Sequence, residues 1–369
     1  MKILILSCST GEGHNSAAKA LEEELINRGE NVIFKDALSF CNKKTKKIIQ
    51  DFFNNIALKT PSIFGAMYKA GDKISNTTIK SPIYFANSLY ANKLGSYLNK
   101  NKIDIVICTH LFPMEAITYL KRKRQIKVKC YATLTDYTII PFLEETELDG
   151  YFLPDETLVK KLSTKKVPKK IIHPFGIPIS SKYLKKRTKK ESRNLLNLPN
   201  NNKIIMIMTG GIGCGNICDM VDSILQNIKI NIIILVLTGK NNKLKHKLDK
   251  KHNRNIITVG FTDKVPLYMD AADILLSKPG GLSSTEAAVK KIPLIHTMPI
   301  PGCETENANF FSKRGMSIKV TNLEELVSSI NLLLNSPKKQ ETMLKKQEYI
   351  NPNATSDIIN YIINENSSK

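Results

Sequence analysis

The first twenty residues, MKILILSCSTGEGHNSAAKA, restrict the fold more than any other stretch: an apolar run stops at a small-residue loop, and a helical pattern follows at once. Ile3, Leu4, Ile5 and Leu6 form the short continuous apolar run of an inner parallel strand, with Lys2 its only charge. Ser9, Thr10, Gly11 and Gly13 read as a tight polar turn, and Ala17, Ala18, Ala20, Leu21 and Leu25 recur at helical spacing. Strand, loop and helix make the opening unit of an α/β sheet, where ligands collect at the carboxyl ends of strands. His14 stands at that place. The loop lacks the third glycine of a dinucleotide fingerprint, and Glu12 is a poor neighbour for a pyrophosphate. The helix dipole keeps an imidazole here neutral, as a proton acceptor requires, but a capping or surface histidine fits the same position equally well.

The pattern recurs along the chain. Residues 31–35, 103–109, 128–134 and 150–153 read as further strands, and His110 and Asp136 follow two of them, as site groups or as loop hydrogen-bonding residues. The second half restarts with a strand at 204–208, a glycine loop at 209–216 and a helix at 217–228. Glycines in that loop let backbone approach a diphosphate. Strands at 232–237, 256–259, 271–276 and 293–298 follow. After the fourth strand of this half, Gly280-Gly281 makes a turn, Ser283 or Ser284 caps a helix, and Glu286 lies where a carboxylate can bond both hydroxyls of a ribose. Residues 299–307 read as a polar loop able to grip a sugar, and 350–366 as a last packed helix.

Composition narrows the class. At 369 residues and 42% hydrophobic content, the chain buries a sizeable core in two α/β domains. Seven cysteines at scattered positions support neither a disulfide framework nor a zinc site, so a reducing cytoplasm is expected. The first residues suit neither a signal peptide nor an anchor, and no stretch approaches the ~18 apolar residues of a spanning helix. The net charge of +22 suits an anionic surface, although a lysine-rich composition alone gives a solvated face. Residues 157–190 hold twelve lysines and arginines and no acid, and Gly176-Ile177-Pro178 within that run marks a domain boundary. Residues 48–98 interleave aromatics such as Phe53, Tyr84 and Phe85 with lysines, a pattern for core packing with a minority at a lipid-facing mouth.

Ser9-Thr10-Gly11 with Gly13-His14, Thr135-Asp136-Tyr137 with Pro141-Phe142, Gly176-Ile177-Pro178, Lys278-Pro279-Gly280-Gly281 with Glu286-Ala287, and Pro299-Ile300-Pro301-Gly302 with Glu304 and Glu306-Asn307-Ala308 stand in one order along the chain. With these motifs the chain resembles the diacylglycerol glucosyltransferase and monogalactosyldiacylglycerol synthase family, related to the enzyme that adds N-acetylglucosamine to the lipid-linked peptidoglycan precursor. The resemblance implies a GT-B fold, two doubly wound Rossmann-like domains facing a cleft. It implies an acceptor and membrane domain at 1–180, a UDP-sugar domain at 181–350, and a helix at 351–369 crossing back to the first domain. By position, His14 is the general base, with Gly13, Phe112 and Asp136 on the acceptor side. Gly211 and Gly213 line the diphosphate with Gly280 and Gly281, backbone near Phe261 holds uracil, Glu286 binds ribose, and Glu304 and Asn307 contact the hexose. Two positions depart from the family. Cys303 replaces the glutamine that precedes the acid, and Glu12 beside His14 replaces a glycine and can raise the histidine pKa.

The expectation is an inverting glycosyltransferase that moves a hexose, glucose first, from a UDP-sugar to diacylglycerol on the cytoplasmic face of the membrane, without cofactor or metal. Cleft closure would align the reactants. UDP-galactose, or a peptidoglycan-precursor lipid as acceptor, is the near alternative, and a UDP-sugar 2-epimerase keeps the fold with another reaction. A nucleic-acid partner is disfavoured because Phe175 and Tyr183 are the only Phe or Tyr from Lys160 to Lys190, too few for a stacking platform.

Overall fold

The computed structural model describes residues 1–8, 12–42, 46, 80–208, 216–297 and 299–367. The expectations placed on Ser9, Thr10, Gly11, Gly211, Gly213 and most of the aromatic segment at 48–98 lie outside these residues.

Two compact units make up the chain. The first comprises Met1–Ser181, Ile300–Cys303 and Asn351–Lys369; the second comprises Lys182–Pro299 and Glu304–Ile350. The first unit is built on a parallel sheet of six strands: β1 (Lys2–Ser7), β2 (Asn31–Asp36), β3 (Ile105–Cys108), β4 (Lys129–Thr133), β5 (Gly150–Phe152) and β6 (Ile172–His173), in spatial order β2-β1-β3-β4-β5-β6. In β1 the side chains alternate between two cores. Leu4 and Leu6 pack with Val106 and Cys108 against Ala91 and Leu94 of α2 (Pro82–Lys100) and Ile117 and Leu120 of α3 (Leu111–Arg122). Ile3 and Ile5 turn to the other face, against Ala18, Leu21 and Leu25 of α1 (Glu12–Asn27) and Ile358, Ile359 and Ile362 of the chain's last helix (Ala354–Ser367). A strand covered on both faces must be apolar at every position, which accounts for the unbroken run; each such side chain contributes about 1.5–3 kcal/mol.

The last helix needs one glycine to dock. Gly176 has φ +108°, and a Cβ there would lie 2.9 Å from Cβ of Ala354. Asn351 donates to the Phe175 carbonyl at 2.7 Å beside this contact.

In the second unit, β7 (Lys203–Met208), β8 (Ile232–Gly239), β9 (Ile256–Gly260), β10 (Ile274–Ser277), β11 (Leu294–Thr297) and β12 (Ile318–Val320) form another parallel sheet, in order β12-β11-β10-β7-β8-β9. Ile205 and Ile207 pack against Val221 and Ile224 of the helix Ile217–Asn227, while Ile204 and Met206 on the opposite face are equally buried.

Several local readings are corrected. Residue 271 ends a helix, Val265–Ala271, instead of opening a strand, because Pro266 favours a helix start and the Ala272 amide closes the turn on the Tyr268 carbonyl. The helix after β10 begins at Gly281, with Gly280 as its N-cap, so neither Ser283 nor Ser284 caps it. Residues 299–307 are not all loop, since a helix starts at Cys303 with Glu304 and Glu306 in its first turn, where the dipole favours acids. Gly13 lies inside the first turn of α1 and not in the preceding turn. The short edge strands β6 and β12 carry too few residues to show a pattern.

Candidate active site

Three strand ends of the first unit converge on a small pocket. Chain leaving β1 enters α1 at Glu12, which sets His14 in the first helical turn. Thr109 and His110 follow β3, and Thr135 and Asp136 lie just beyond β4. The chain runs from β1 to β2 on one side and returns as β3 on the other, so the pocket sits at the point where strand order reverses. His14, Thr109, His110, Met114, Thr135 and Asp136 all line it.

Nδ1 of His14 lies 2.8 Å from the backbone oxygen of Thr109 and 2.8 Å from Oγ1 of Thr135. A carbonyl can only accept, so Nδ1 carries the hydrogen and the neutral ring keeps its lone pair on Nε2. Thr109 Oγ1 in turn donates to the His14 carbonyl at 3.1 Å. Burial lowers the His14 pKa from 6.5, opposed by the Asp136 carboxylate and the Thr109 hydrogen bond. The ring is therefore neutral at pH 7, with a carboxylate placed to steady the cation formed by proton uptake. That carboxylate is Asp136 and not Glu12, whose position two residues before His14 puts it on a different face of α1.

His110 is the N-cap of α3, its Nδ1 accepting from the Phe112 amide at 3.1 Å. Its ring centroid is 4.7 Å from that of His14 with planes at 81°, and burial, then His14, hold its pKa well below the usual value. Phe112 backs His110 edge-on at 4.7 Å and is buried with Cys8 and Leu38.

In the second unit, the turn Lys278-Pro279-Gly280 leads from β10 into the helix Gly281–Lys290 at the reversal point between β10 and β7. Its N-cap is Gly280, which has no side chain to cap it, and the first backbone N–H groups of a helix are a place where an anion can bind. The turn is held from several sides. Asn307, fully buried, donates to the Pro279 carbonyl at 3.0 Å, Ser283 Oγ donates to the Gly280 carbonyl at 3.2 Å, and Lys278 Nζ pairs with Glu304 at 3.3 Å. Glu286 is buried in the same helix, and burial pushes its pKa up to about 8 while the Tyr183 hydroxyl pulls it down. Phe261 is 73% exposed after β9, with Lys240 Nζ 5.5 Å from its ring centroid.

Sequence reasoning missed the clamp on His14: Thr109 and Thr135 adjoin His110 and Asp136, and their place at strand ends was the available signal. It also missed His296, buried between Ser284 Oγ at 2.9 Å and Ser317 Oγ at 3.1 Å, which burial pushes down to about 3. This neutral histidine ties the Glu286 helix to β11.

Of the aromatic segment at 48–98, the described part contains both buried and exposed side chains. Tyr84, Tyr90 and Leu94 of α2 are buried, whereas Phe85 and Leu89 are 57% and 78% exposed. Among the described residues, no helix is long and apolar enough to cross a membrane, and no cluster of three or more His, Cys, Asp or Glu could hold a metal.

Residues 14–179 match the family model of monogalactosyldiacylglycerol (MGDG) synthase, and residues 204–361 that of the glycosyltransferase family 28 C-terminal domain. The chain is 29% identical to a processive diacylglycerol beta-glucosyltransferase of Bacillus cereus (strain G9842) over 378 aligned positions, covering 100% of this chain and 95% of the relative. It is 26% identical to the enzyme of the same name from Bacillus subtilis (strain 168), covering 97% and 93%. Among solved structures, MurG of Acinetobacter baumannii superimposes with a TM-score of 0.64 at 13% identity, covering 98% of this chain and 99% of that one. The UDP-GlcNAc 2-epimerase of Neisseria meningitidis, bound to UDP-GlcNAc, gives 0.63 at 16% identity, covering 99% and 100%. These structural likenesses establish the GT-B class of fold.

Proposed function

We propose that this chain, which resembles the diacylglycerol glucosyltransferase and monogalactosyldiacylglycerol synthase family over its whole length, transfers a hexose from a UDP-sugar to diacylglycerol. The hexose is glucose, after the named activity of the Bacillus relatives. The observation that carries the reading is His14, a neutral base with its lone pair on Nε2, beside Asp136 in a pocket at a strand-order reversal. In the proposed reaction the acceptor hydroxyl gives its proton to Nε2 as its oxygen bonds to the anomeric carbon. The bond from that carbon to the diphosphate breaks, UDP departs and the configuration inverts. Asp136 stabilises the imidazolium. Free N–H groups at Gly281, with the glycine loop that carries Gly211 and Gly213, would take the charge of the leaving diphosphate.

The remaining donor roles follow by position: Glu286 for ribose, backbone at Phe261 for uracil, and Glu304 and Asn307 for the hexose. For Asn307 the buried hydrogen bond to Pro279 supports an action through the turn as well. The enzyme would work peripherally on the cytoplasmic face of an anionic membrane. Phe85, Leu89 and Lys93 lie four residues apart along one exposed stripe of α2, and this order, two apolar groups and then a cation, fits a headgroup boundary.

The test is to incubate the protein with diacylglycerol liposomes and each labelled UDP-sugar, with and without chelator, and to resolve the lipid products. Labelled glucosyldiacylglycerol from UDP-glucose, formed equally with chelator, is expected. Label in epimerised UDP-sugar with none in lipid would sink the reading.

A further inference from the structure

Beside His14 stands a second imidazole whose protonation is set from behind. Nδ1 of His110 accepts the Phe112 amide hydrogen at 3.1 Å, so the ring is neutral and its own hydrogen is on Nε2. Protonating Nδ1 would break the cap of α3. The ring is also wedged, 4.7 Å from Phe112 on one side and 4.7 Å from His14 on the other, at planes of 79° and 81°.

His14 needs such a wall. Its hydrogen bonds to Thr109 and Thr135 both meet the ring at Nδ1, so they restrain rotation about Cβ–Cγ from one edge of the ring only. The perpendicular His110 ring, in contact at 4.7 Å, limits that rotation from a second side. We propose that His110 is a positioning residue: it sets the plane of the His14 imidazole and keeps Nε2 turned to the pocket. This rests on the reading of His14 as the base.

Among the described residues, the ionisable groups around His14 come from three elements. Asp136 faces it from beyond β4 and His110 from the start of α3, while Glu12 shares α1 with it; Thr109 and Thr135 do not ionise. A neutral wall suits this setting. It adds no charge against the imidazolium that forms during transfer, and its contact covers part of the ring.

Two substitutions separate the wall from the cap. His110→Asn keeps a good N-cap and removes the ring; His110→Phe keeps a ring and removes the cap. With His110→Asn, the protein should stay folded and the KM for UDP-sugar should stay at the wild-type value. Its kcat should fall about 10- to 100-fold, and the acid limb of the kcat–pH profile should move to higher pH as water reaches His14. His110→Phe should be less stable yet faster than His110→Asn. Wild-type kcat and pH limb in His110→Asn would overturn the proposal, as would a folded His110→Phe no faster than His110→Asn. His14→Ala distinguishes the two levels of failure: if it retains transfer, the base assignment itself is wrong, whereas an inactive His14→Ala with an unaffected His110→Asn overturns the positioning role alone.

Discussion

Nδ1 of His14 lies 2.8 Å from the main-chain oxygen of Thr109, 95 positions further along the chain, and that contact decides which ring nitrogen keeps a free lone pair. Backbone, unlike a side chain, cannot turn away or change its role from donor to acceptor. The tautomer is therefore built into the junction of β1, β3 and α1.

The same junction fixes a pH dependence. The pKa of His14 is lowered from 6.5, and the proposed base acts when neutral, so transfer should be flat near pH 7 and fall as pH drops through a value below 6.5. Asp136 opposes the lowering. Asp136→Asn should move the acid limb to still lower pH while reducing kcat on the order of 10-fold or more, because the imidazolium loses its partner. A limb that stays in place would show that Asp136 does not act on His14.

Glu286 predicts a second pH effect, on binding. Its pKa of about 8 leaves the empty site protonated at pH 7, whereas a ribose diol donates to a carboxylate. Binding should release a proton, and UDP affinity, measured by titration calorimetry, should rise by up to about 10-fold per pH unit between pH 6 and 8. Glu286→Gln should bind weakly at every pH. A wild-type affinity independent of pH contradicts the assignment.

Glu115, fully buried in α3, makes a prediction about stability. Burial, then the neighbouring Glu145, pushes its pKa up to about 10, so the folded protein keeps it protonated. The unfolded chain ionises it near pH 4.5, the ordinary value for its type. Folding therefore holds an extra proton between those limits, and stability falls as pH rises through the window, by at most about 1.4 kcal/mol per pH unit. Glu115→Gln mimics the protonated acid and should melt higher than wild type at pH 8 but not at pH 4. An unchanged difference between the two pH values would be contrary.

At Gly176 the expected cost is steric. With φ +108° and Ala354 2.9 Å from an added Cβ, Gly176→Ala should destabilise the first unit by about 2 kcal/mol or more, read from denaturant unfolding. Ala354→Gly should recover part of the loss. A neutral Gly176→Ala would mean that the last helix does not depend on this contact.

Much of this was legible in the sequence, for a physical reason. Ile3 to Leu6 announce an inner strand because both faces of β1 are covered, and His14, His110 and Asp136 are found at strand ends because parallel sheets leave their ligand-facing loops there. What could not be read depends on partners distant in sequence. Thr109 and Thr135 become a clamp only when β3 and β4 align beside β1. Which side chains of α2 pack and which point outward is decided by α3 beneath them, so Tyr90 and Leu89, adjacent in sequence, end at 2% and 78% exposure. The helix start at Cys303 was hidden because acids in a first helical turn resemble a polar loop.

The most direct test of the central claim is the rate at which His14→Ala glucosylates diacylglycerol in liposomes at saturating UDP-glucose, with UDP binding measured on the same preparation. The account predicts a loss of about 10²- to 10⁴-fold in kcat with UDP affinity unchanged. Transfer at close to the wild-type rate, with UDP bound normally, would contradict it.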